Sequence, residues 1–256
     1  MKTIIFVGGY GSRMGSLTEL YPKPMIRIGN IPILVHIMKI FSKQNYNKFI
    51  LPLGYKNEVI KDYFLNFKNY NNNIKINMRN NEASIISGDD KLYKNWELEL
   101  IYTGLSNLKA SRLFQIKDFL DDETNFLTYG DGVADINLKS LLNFHKKHGK
   151  ILTISGVSPY GKFGEIISDK NFVTHFNEKP EKSKSIINGG FMVFEKEIFK
   201  YIDDSSKFDF ETDVFKRLIH DKQLMVYQHK GSWSCIDNER DVKHLNDLWY
   251  SGKAYW

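Results

Sequence analysis

The sequence contains a single cysteine, Cys235, among 256 residues, which excludes an internal disulfide framework and a cysteine-built metal cluster. It also lacks any apolar run approaching the roughly 20 residues that span a bilayer. The opening Met1-Lys2-Thr3-Ile4-Ile5-Phe6-Val7 joins a lysine to an apolar stretch. Glycine follows too soon for the apolar region of a signal peptide, which runs to about 7–15 residues. A cytoplasmic protein with no membrane partner is therefore expected. No internal repeat and no linker-like low-complexity segment is present, so residues 1–256 read as one domain. Lys and Arg outnumber Asp and Glu by 36 to 30, a net charge of +6, yet neither a polybasic tract nor a nucleic-acid-binding motif accompanies that excess. Small anionic substrates fit such a charge better than nucleic acid does. The apolar share of 42% is enough to bury a substantial core.

What is present is an alternation of strand-like and helix-like segments, the mark of an α/β chain. Thr3–Val7, Phe49–Leu53, Trp96–Tyr102 and Phe126–Tyr129 read as strands. Ile31–Lys43 reads as a helix because Ile33, Leu34, Ile37, Met38 and Phe41 share one face, with Pro32 in the first turn. Glu58–Phe67 and Leu138–His148 also read as helices, the second stopped by Gly149. "NYNNN" at 69–73 reads as an exposed polar turn. From Ile151 onward the strands "ILTISGV", "GEIIS" and "FVTHF" are short and closely spaced, which suggests an antiparallel annexe. Helices near 195–202, 211–221 and 240–251 close the chain.

The stretch "VGGYGSRMGSLTELYPKPM" at 7–25 follows the first strand. Gly8, Gly9 and Gly11 let backbone N–H groups approach a ligand closely, and Arg13 and Lys23 add positive charge, together suiting a nucleoside triphosphate. The dinucleotide fingerprint is incomplete, because Met14 stands where its third glycine belongs. The two prolines of "YPKPM" oppose an early helix, and the Gly-Lys-Ser/Thr of a P-loop is missing. The bland alternative, a plain glycine turn, leaves Arg13 and Lys23 unexplained.

Three further motifs carry chemistry. In "FLTYGDGVAD", Asp131 lies between Gly130 and Gly132 at the carboxyl end of a strand, where open α/β sheets place ligands. A carboxylate there suits Mg²⁺, a hard cation that prefers oxygen, while the alternative is an ordinary Asp-Gly turn. "FNEKP" supplies Glu178 and Lys179, and "INGGF" supplies Asn188. The lysine can hold an anion, and the asparagine can donate to and accept from a hydroxylated or amide-bearing substrate. A hairpin with a surface lysine is the plainer reading. "SWSCIDNERD" offers Asp237 as a second carboxylate or as the N-cap of the next helix. His145 and His148, flanked by Lys146, Lys147 and Lys150, read as a solvated helix face, since those lysines would repel a metal.

In order along the chain, "GGYGSRM", "PKPM", "GYK" (54–56), "TYGDGVAD", "HKKHGK", "GKFGEI", "NEKP", "INGGF", "RD" (240–241) and "LWYSGKAYW" resemble the sugar-phosphate nucleotidyltransferases over nearly the whole length. Within that family the likeness is greatest to the cytidylyltransferases of glucose 1-phosphate. The resemblance implies a Rossmann-like nucleotidyltransferase fold: a mixed, mostly parallel sheet flanked by helices, with a small antiparallel annexe. It implies CTP as donor, a phosphorylated acceptor, and Mg²⁺ as cofactor. A homo-oligomer is compatible with it. Carried over by position, Val7, Gly8, Gly9, Gly11, Ser12 and Gly130 would hold the nucleotide. Arg13 and Lys23 would neutralise the triphosphate, and Asp131 and Asp237 would bind Mg²⁺. Lys179 would hold the acceptor's phosphate, while Glu178, Asn188, Glu211 and Tyr129 would contact the rest of the acceptor. Arg13, Lys23 and Lys179 are thereby the expected catalytic cations.

Several positions depart from the resembled pattern. After "YTG" (102–104) that pattern has an acid and then Thr-Gly-Gly before an arginine. Here Leu105 and Lys109-Ala110-Ser111 precede Arg112. Its Met-Asp-Thr is Ile236-Asp237-Asn238 here, and Val7 replaces an alanine. The changes gather where an acceptor would lie and spare the donor and metal motifs, which suggests an acceptor other than glucose 1-phosphate. The cytidylyltransferases of the capsular phosphoramidate pathway, which activate L-glutamine phosphate, supply one such acceptor. The Lys-, Asn- and Ile-rich composition, typical of AT-rich bacterial genomes, is compatible with that surface-polysaccharide setting. Glucose 1-phosphate stays as the alternative. A nucleotide-binding regulator that kept the fold without the chemistry is the alternative of another class.

Overall fold

Four consecutive residues, Thr3–Phe6, are all buried, as befits a strand with neighbours on both edges and cover on both faces. They form β1, the heart of the computed structural model, which describes residues 1–15, 17–88, 93–120, 122–159, 165–169, 172–177, 186–203, 205 and 207–256. The next strands are β2 (Arg27–Ile28), β3 (Ile31–Pro32), β4 (Lys48–Leu53), β5 (Asn73–Asn77), β6 (Glu82–Ser87) and β7 (Glu97–Tyr102). After them come β8 (Thr124–Tyr129), β9 (Gly132–Ala134), β10 (Leu152–Val157), β11 (Glu165–Asp169) and β12 (Phe172–Asn177). The last are β13 (Ile187–Glu195), β14 (Leu224–Gln228) and β15 (Trp233–Cys235). The helices are α1 (Leu17–Leu20), α2 (Ile33–Ser42), α3 (Asn57–Leu65), α4 (Phe67–Asn71), α5 (Lys109–Gln115), α6 (Leu138–His148), α7 (Phe215–His220) and α8 (Glu239–Tyr250).

Among the described residues the central sheet has seven strands in the order β14-β10-β13-β8-β1-β4-β7. β13 runs antiparallel to β10 and β8, and the other neighbouring pairs are parallel. The chain builds outward from β1 through β4 and β7, then returns to β1's other edge with β8. The carboxyl ends of β1 and β8 thus flank a topological switch point, where open sheets bind ligands. Alternation along β1 sends Ile5 and Val7 into a core with α2, and Ile4 and Phe6 into one with residues of α5 and α7. Each fully buried aliphatic or aromatic side chain there is worth about 1.5–3 kcal/mol, so both helical layers are tied to this strand.

The structure revises several expectations. Ile151–Val157 is not part of a separate annexe, because β10 lies inside the main sheet, between the parallel β14 and the antiparallel β13. The other two segments, "GEIIS" and "FVTHF", do pair antiparallel as expected, as β11–β12, and β5–β6 is another small antiparallel sheet. The expected helix over Glu58–Phe67 breaks at Asn66, and the expected polar turn at 69–73, exposed or half-exposed as read, is mostly helical in α4, where Phe67 and Tyr70 stack on Phe64 and Tyr63. Ile31 and Pro32 form a short strand against Arg27–Ile28, so α2 begins two residues later, after Pro32. Around 195–202 the backbone is a tight 3₁₀ turn, Lys196–Tyr201, and 211–221 divides into a π-turn, Phe210–Val214, and α7. His145 is buried at 1% exposure, against the solvated face expected from its lysine neighbours. Its ring lies 2.8 Å from Thr153 Oγ1 and 2.9 Å from Glu195 Oε1, and those partners compensate its burial. No described helix is long and apolar enough to cross a membrane.

Candidate active site

Antiparallel pairing of β9 with β15 sets Cys235 opposite Gly132, and the Ile236 amide donates to the Asp131 carbonyl at 3.0 Å. Two loops far apart in sequence are thereby laid side by side at the switch point. The N-cap of α8 is Asn238, whose side chain accepts from the Asp241 amide at 3.1 Å. Asp237 is therefore not the cap, and its carboxylate serves elsewhere. Lys23 Nζ donates to Asp131 Oδ2 at 2.7 Å and to Asp237 Oδ1 at 2.9 Å. The lysine side chain is 14% exposed and the carboxylates 29% and 32%, so the triad lies at the mouth of the crevice, within reach of a ligand. Burial pulls the Lys23 ammonium down, but the charge and hydrogen bond of Asp131, joined by those of Asp237, outweigh it and raise the pKa. The lysine is held charged.

The glycine loop lies beside this triad. Gly11 has φ of 66°, and a side chain there would press on Lys23 Cβ at 3.1 Å, so glycine both permits the left-handed turn and lets the lysine stem pass. Gly130 donates to the Phe6 carbonyl at 3.1 Å, and a Cβ there would stand 2.9 Å from that oxygen. Gly9 is exposed, and a Cβ there would meet nothing within 4 Å. Val7 is buried in the core, which leaves only its backbone to meet a nucleotide. Ser12 opens the 3₁₀ turn Ser12–Met14 and is exposed. The backbone of Arg13 belongs to that turn, while its side chain lies outside what is described. The same holds for the whole of Glu178 and Lys179.

Beneath the loop is a residue that the motifs did not single out for a role. Arg112 is 3% exposed and donates through Nη1 to Leu53 O (3.1 Å), Thr103 Oγ1 (2.8 Å) and Gly104 O (2.7 Å), and through Nη2 to Leu105 O (3.2 Å). Burial lowers its pKa, with Tyr10 and Tyr102 opposing. Side chains at Gly8 or Gly54 would strike its guanidinium at 2.5–2.6 Å. A buried cation with neutral oxygen partners, packed against the glycine loop, puts positive potential behind the place where an anion would sit. The signal for it was an arginine on the apolar face of a short helix.

Of the expected acceptor residues, Tyr129, Asn188 and Glu211 lie in contact. Tyr129, at the end of β8, donates to Glu211 Oε1 and accepts from Asn188 Nδ2 at 3.0 Å. Burial raises the Tyr129 pKa well above its ordinary value, and the charge and hydrogen bond of Glu211 raise it further. Glu211 itself lies in the π-turn Phe210–Val214, a local widening frequent at functional sites. Lys109 of α5 joins this group, with Nζ 2.7 Å from Glu211 Oε2 and 3.7 Å from Asp209 Oδ1.

Asp131 and Asp237 converge on one positive centre, the Lys23 ammonium, which marks where a hard cation would be attracted. The described residues hold no group of three or more His, Cys, Asp and Glu that could bind a metal ion. Two carboxylates fit a small divalent cation that keeps waters and ligand phosphates as its remaining partners.

Residues 2–251 match the nucleotidyl transferase family. Over its full length the chain is 38% identical to a probable glucose-1-phosphate cytidylyltransferase of Bacillus subtilis (strain 168), covering 99% of that protein. It is 37% identical to the glucose-1-phosphate cytidylyltransferase of Salmonella typhi, over 100% of this chain and 98% of the relative. Two solved structures share the fold. HddC from Yersinia pseudotuberculosis, complexed with GMP-PN, superposes with a TM-score of 0.70 at 21% identity, covering 97% of this chain and 99% of that one. A UDP-glucose pyrophosphorylase complexed with UDP-glucose gives 0.68 at 15% identity, with 98% of each chain covered. Matches of this length and identity, on a fold common to those structures, place the chain in the nucleotidyl transferase family, as a nucleotidyltransferase enzyme.

Proposed function

We propose that the enzyme transfers CMP from CTP to the phosphate of a small phosphorylated acceptor and releases pyrophosphate, in the cytoplasm and with Mg²⁺. The observation that carries this reading is the Lys23 ammonium bridging Asp131 and Asp237 beside the glycine loop. An oxygen of the acceptor phosphate attacks the α-phosphorus of CTP in line, the new P–O bond forms, and the bond to the β-phosphate breaks. The attacking phosphate has a second pKa near 6 and is largely ionised at neutral pH, so no general base is needed. The obstacle is repulsion between two polyanions, which fixed cations and positioning relieve. Lys23 orients the carboxylates and meets the triphosphate, while Arg13 and Lys179 add charge at the donor and acceptor phosphates. Val7, Gly8, Gly9, Gly11, Ser12 and Gly130 offer backbone to the nucleotide. Bound at Asp131 and Asp237, Mg²⁺ would supply charge neutralisation at the phosphates.

For the acceptor we favour L-glutamine phosphate, because Lys109, one of the residues that depart from the glucose pattern, reaches the Tyr129–Glu211 pair. Glu178 and Asn188 would complete the contacts. Glucose 1-phosphate is the second reading, supported by the names of the relatives 37–38% identical over the full chain. Pyrophosphate release with CTP, UTP, dTTP, ATP and GTP, each against both acceptors, tests the proposal. CTP is expected to be the preferred donor. Turnover with any other nucleotide in preference to CTP, or with none, overturns it.

A further inference from the structure

The altered triplet Lys109-Ala110-Ser111 is the seam between α5 and the segment that carries Glu211. Ser111 Oγ donates to the Ser205 carbonyl and lies 3.4 Å from that of Phe208. Ala110 is fully buried in the same cluster as Phe210, so the small residue sets how closely the helix approaches. Lys109, one step outward and 38% exposed, then reaches over the Tyr129 ring, its Nζ 5.8 Å from the centroid. Glu211 has one oxygen taken by the Tyr129 hydroxyl. The other is buried, with the Lys109 ammonium 2.7 Å away.

Such a wall suits a sugar poorly. A carboxylate that binds hydroxyls needs free lone pairs, and a neutral hydroxyl competes weakly with an ammonium for them. An amino-acid head group is different, because it carries both charges at once. Its ammonium can face Asp209, whose side chain is 21% exposed beside Lys109, while its carboxylate takes the remaining donors of Lys109. Each internal charge then stays compensated when the ligand enters, which a partly buried site requires.

We propose that Lys109, with Asp209 and Glu211, is a specificity-determining group that selects acceptors bearing an α-amino-acid zwitterion at the end away from the transferable phosphate. This rests on the cytidylyl-transfer reading and deepens its acceptor side. The test is steady-state kinetics with CTP and Mg²⁺ for the wild type, Lys109→Met and Lys109→Arg, using L-glutamine phosphate and glucose 1-phosphate as acceptors. Thermal melts would check folding. Loss of a charge-assisted contact predicts that Lys109→Met lowers kcat/KM for L-glutamine phosphate by roughly 10- to 100-fold. Activity on glucose 1-phosphate should hold or rise, and Lys109→Arg should keep most of the preference. Equal losses on both acceptors, or none, would overturn the role of Lys109 while leaving the transferase reading intact. A wild type that turns over glucose 1-phosphate alone overturns the zwitterion site and the acceptor together. Silence with every acceptor, despite folded protein, overturns the transferase reading itself.

Discussion

Replacing Lys23 by methionine keeps the stem that passes beneath Gly11 and removes only the ammonium. The Asp131 and Asp237 oxygens, 2.7 and 2.9 Å from that nitrogen, then face each other without it. At roughly 5 Å and an effective dielectric of about 20, two like unit charges repel by about 3 kcal/mol. Both carboxylates are about one-third exposed, so solvent and salt screen that figure to about 1.5–3 kcal/mol. For a chain of this size the loss corresponds to a melting temperature lower by about 4–10 °C. The same repulsion should raise the affinity of the carboxylate pair for a divalent cation. Millimolar MgCl₂ is therefore expected to raise the melting temperature of Lys23→Met by more than it raises that of the wild type, since the wild-type ammonium competes for the same oxygens. Turnover should not return with the metal, and a fall of about 100-fold or more is expected, as for other lost transition-state cations or donors. Calorimetric melts with and without Mg²⁺, paired with a pyrophosphate assay, read all three quantities. An unchanged melting temperature, or an equal Mg²⁺ increment in both proteins, would refute the electrostatic account of the triad.

Two other outcomes are expected. Gly54→Ala places a Cβ 2.4 Å from the Gly8 carbonyl oxygen and 2.6 Å from Arg112 Nη1. It should cost about 1–3 kcal/mol in urea unfolding, whereas Gly9→Ala, with nothing within 4 Å, should leave stability unchanged and raise the KM for CTP. Acid should destabilise the protein through His36, which is 1% exposed, lies 2.9 Å from the Ile28 carbonyl and accepts from Trp256 Nε1 at 3.0 Å. Burial lowers its pKa from 6.5 to about 4. The unfolded chain therefore binds the proton first, and stability present above pH 6.5 is lost as pH falls towards 4. That amounts to about 3 kcal/mol, and His36→Gln should flatten the loss in denaturant titrations across this range.

Much of this protein follows from its residues taken in order. A continuous apolar stretch such as Thr3–Phe6 has one comfortable place, inside a sheet covered on both faces. Gly130 and Gly132 around Asp131 mark a turn at a strand's end whatever lies nearby. These signals are local, set by backbone sterics and by the period of hydrophobic residues, and they sufficed for the α/β class and for Lys23, Asp131 and Asp237 as candidates. The partnership of those three residues was not local. It depends on β9 pairing with β15, a long-range contact whose register nothing in either short strand announces. His145 shows the same limit. Its lysine neighbours are exposed while its own ring points inward to Thr153 and Glu195, and only the packing of α6 against β10 and β13 decides that. Lys109 and Arg112 lie three residues apart, one opening towards Glu211 and the other buried beneath Gly8 and Gly54. Composition treats both as cations. The tertiary structure separates them, because burial and the charges across the crevice belong to the fold and not to the chain.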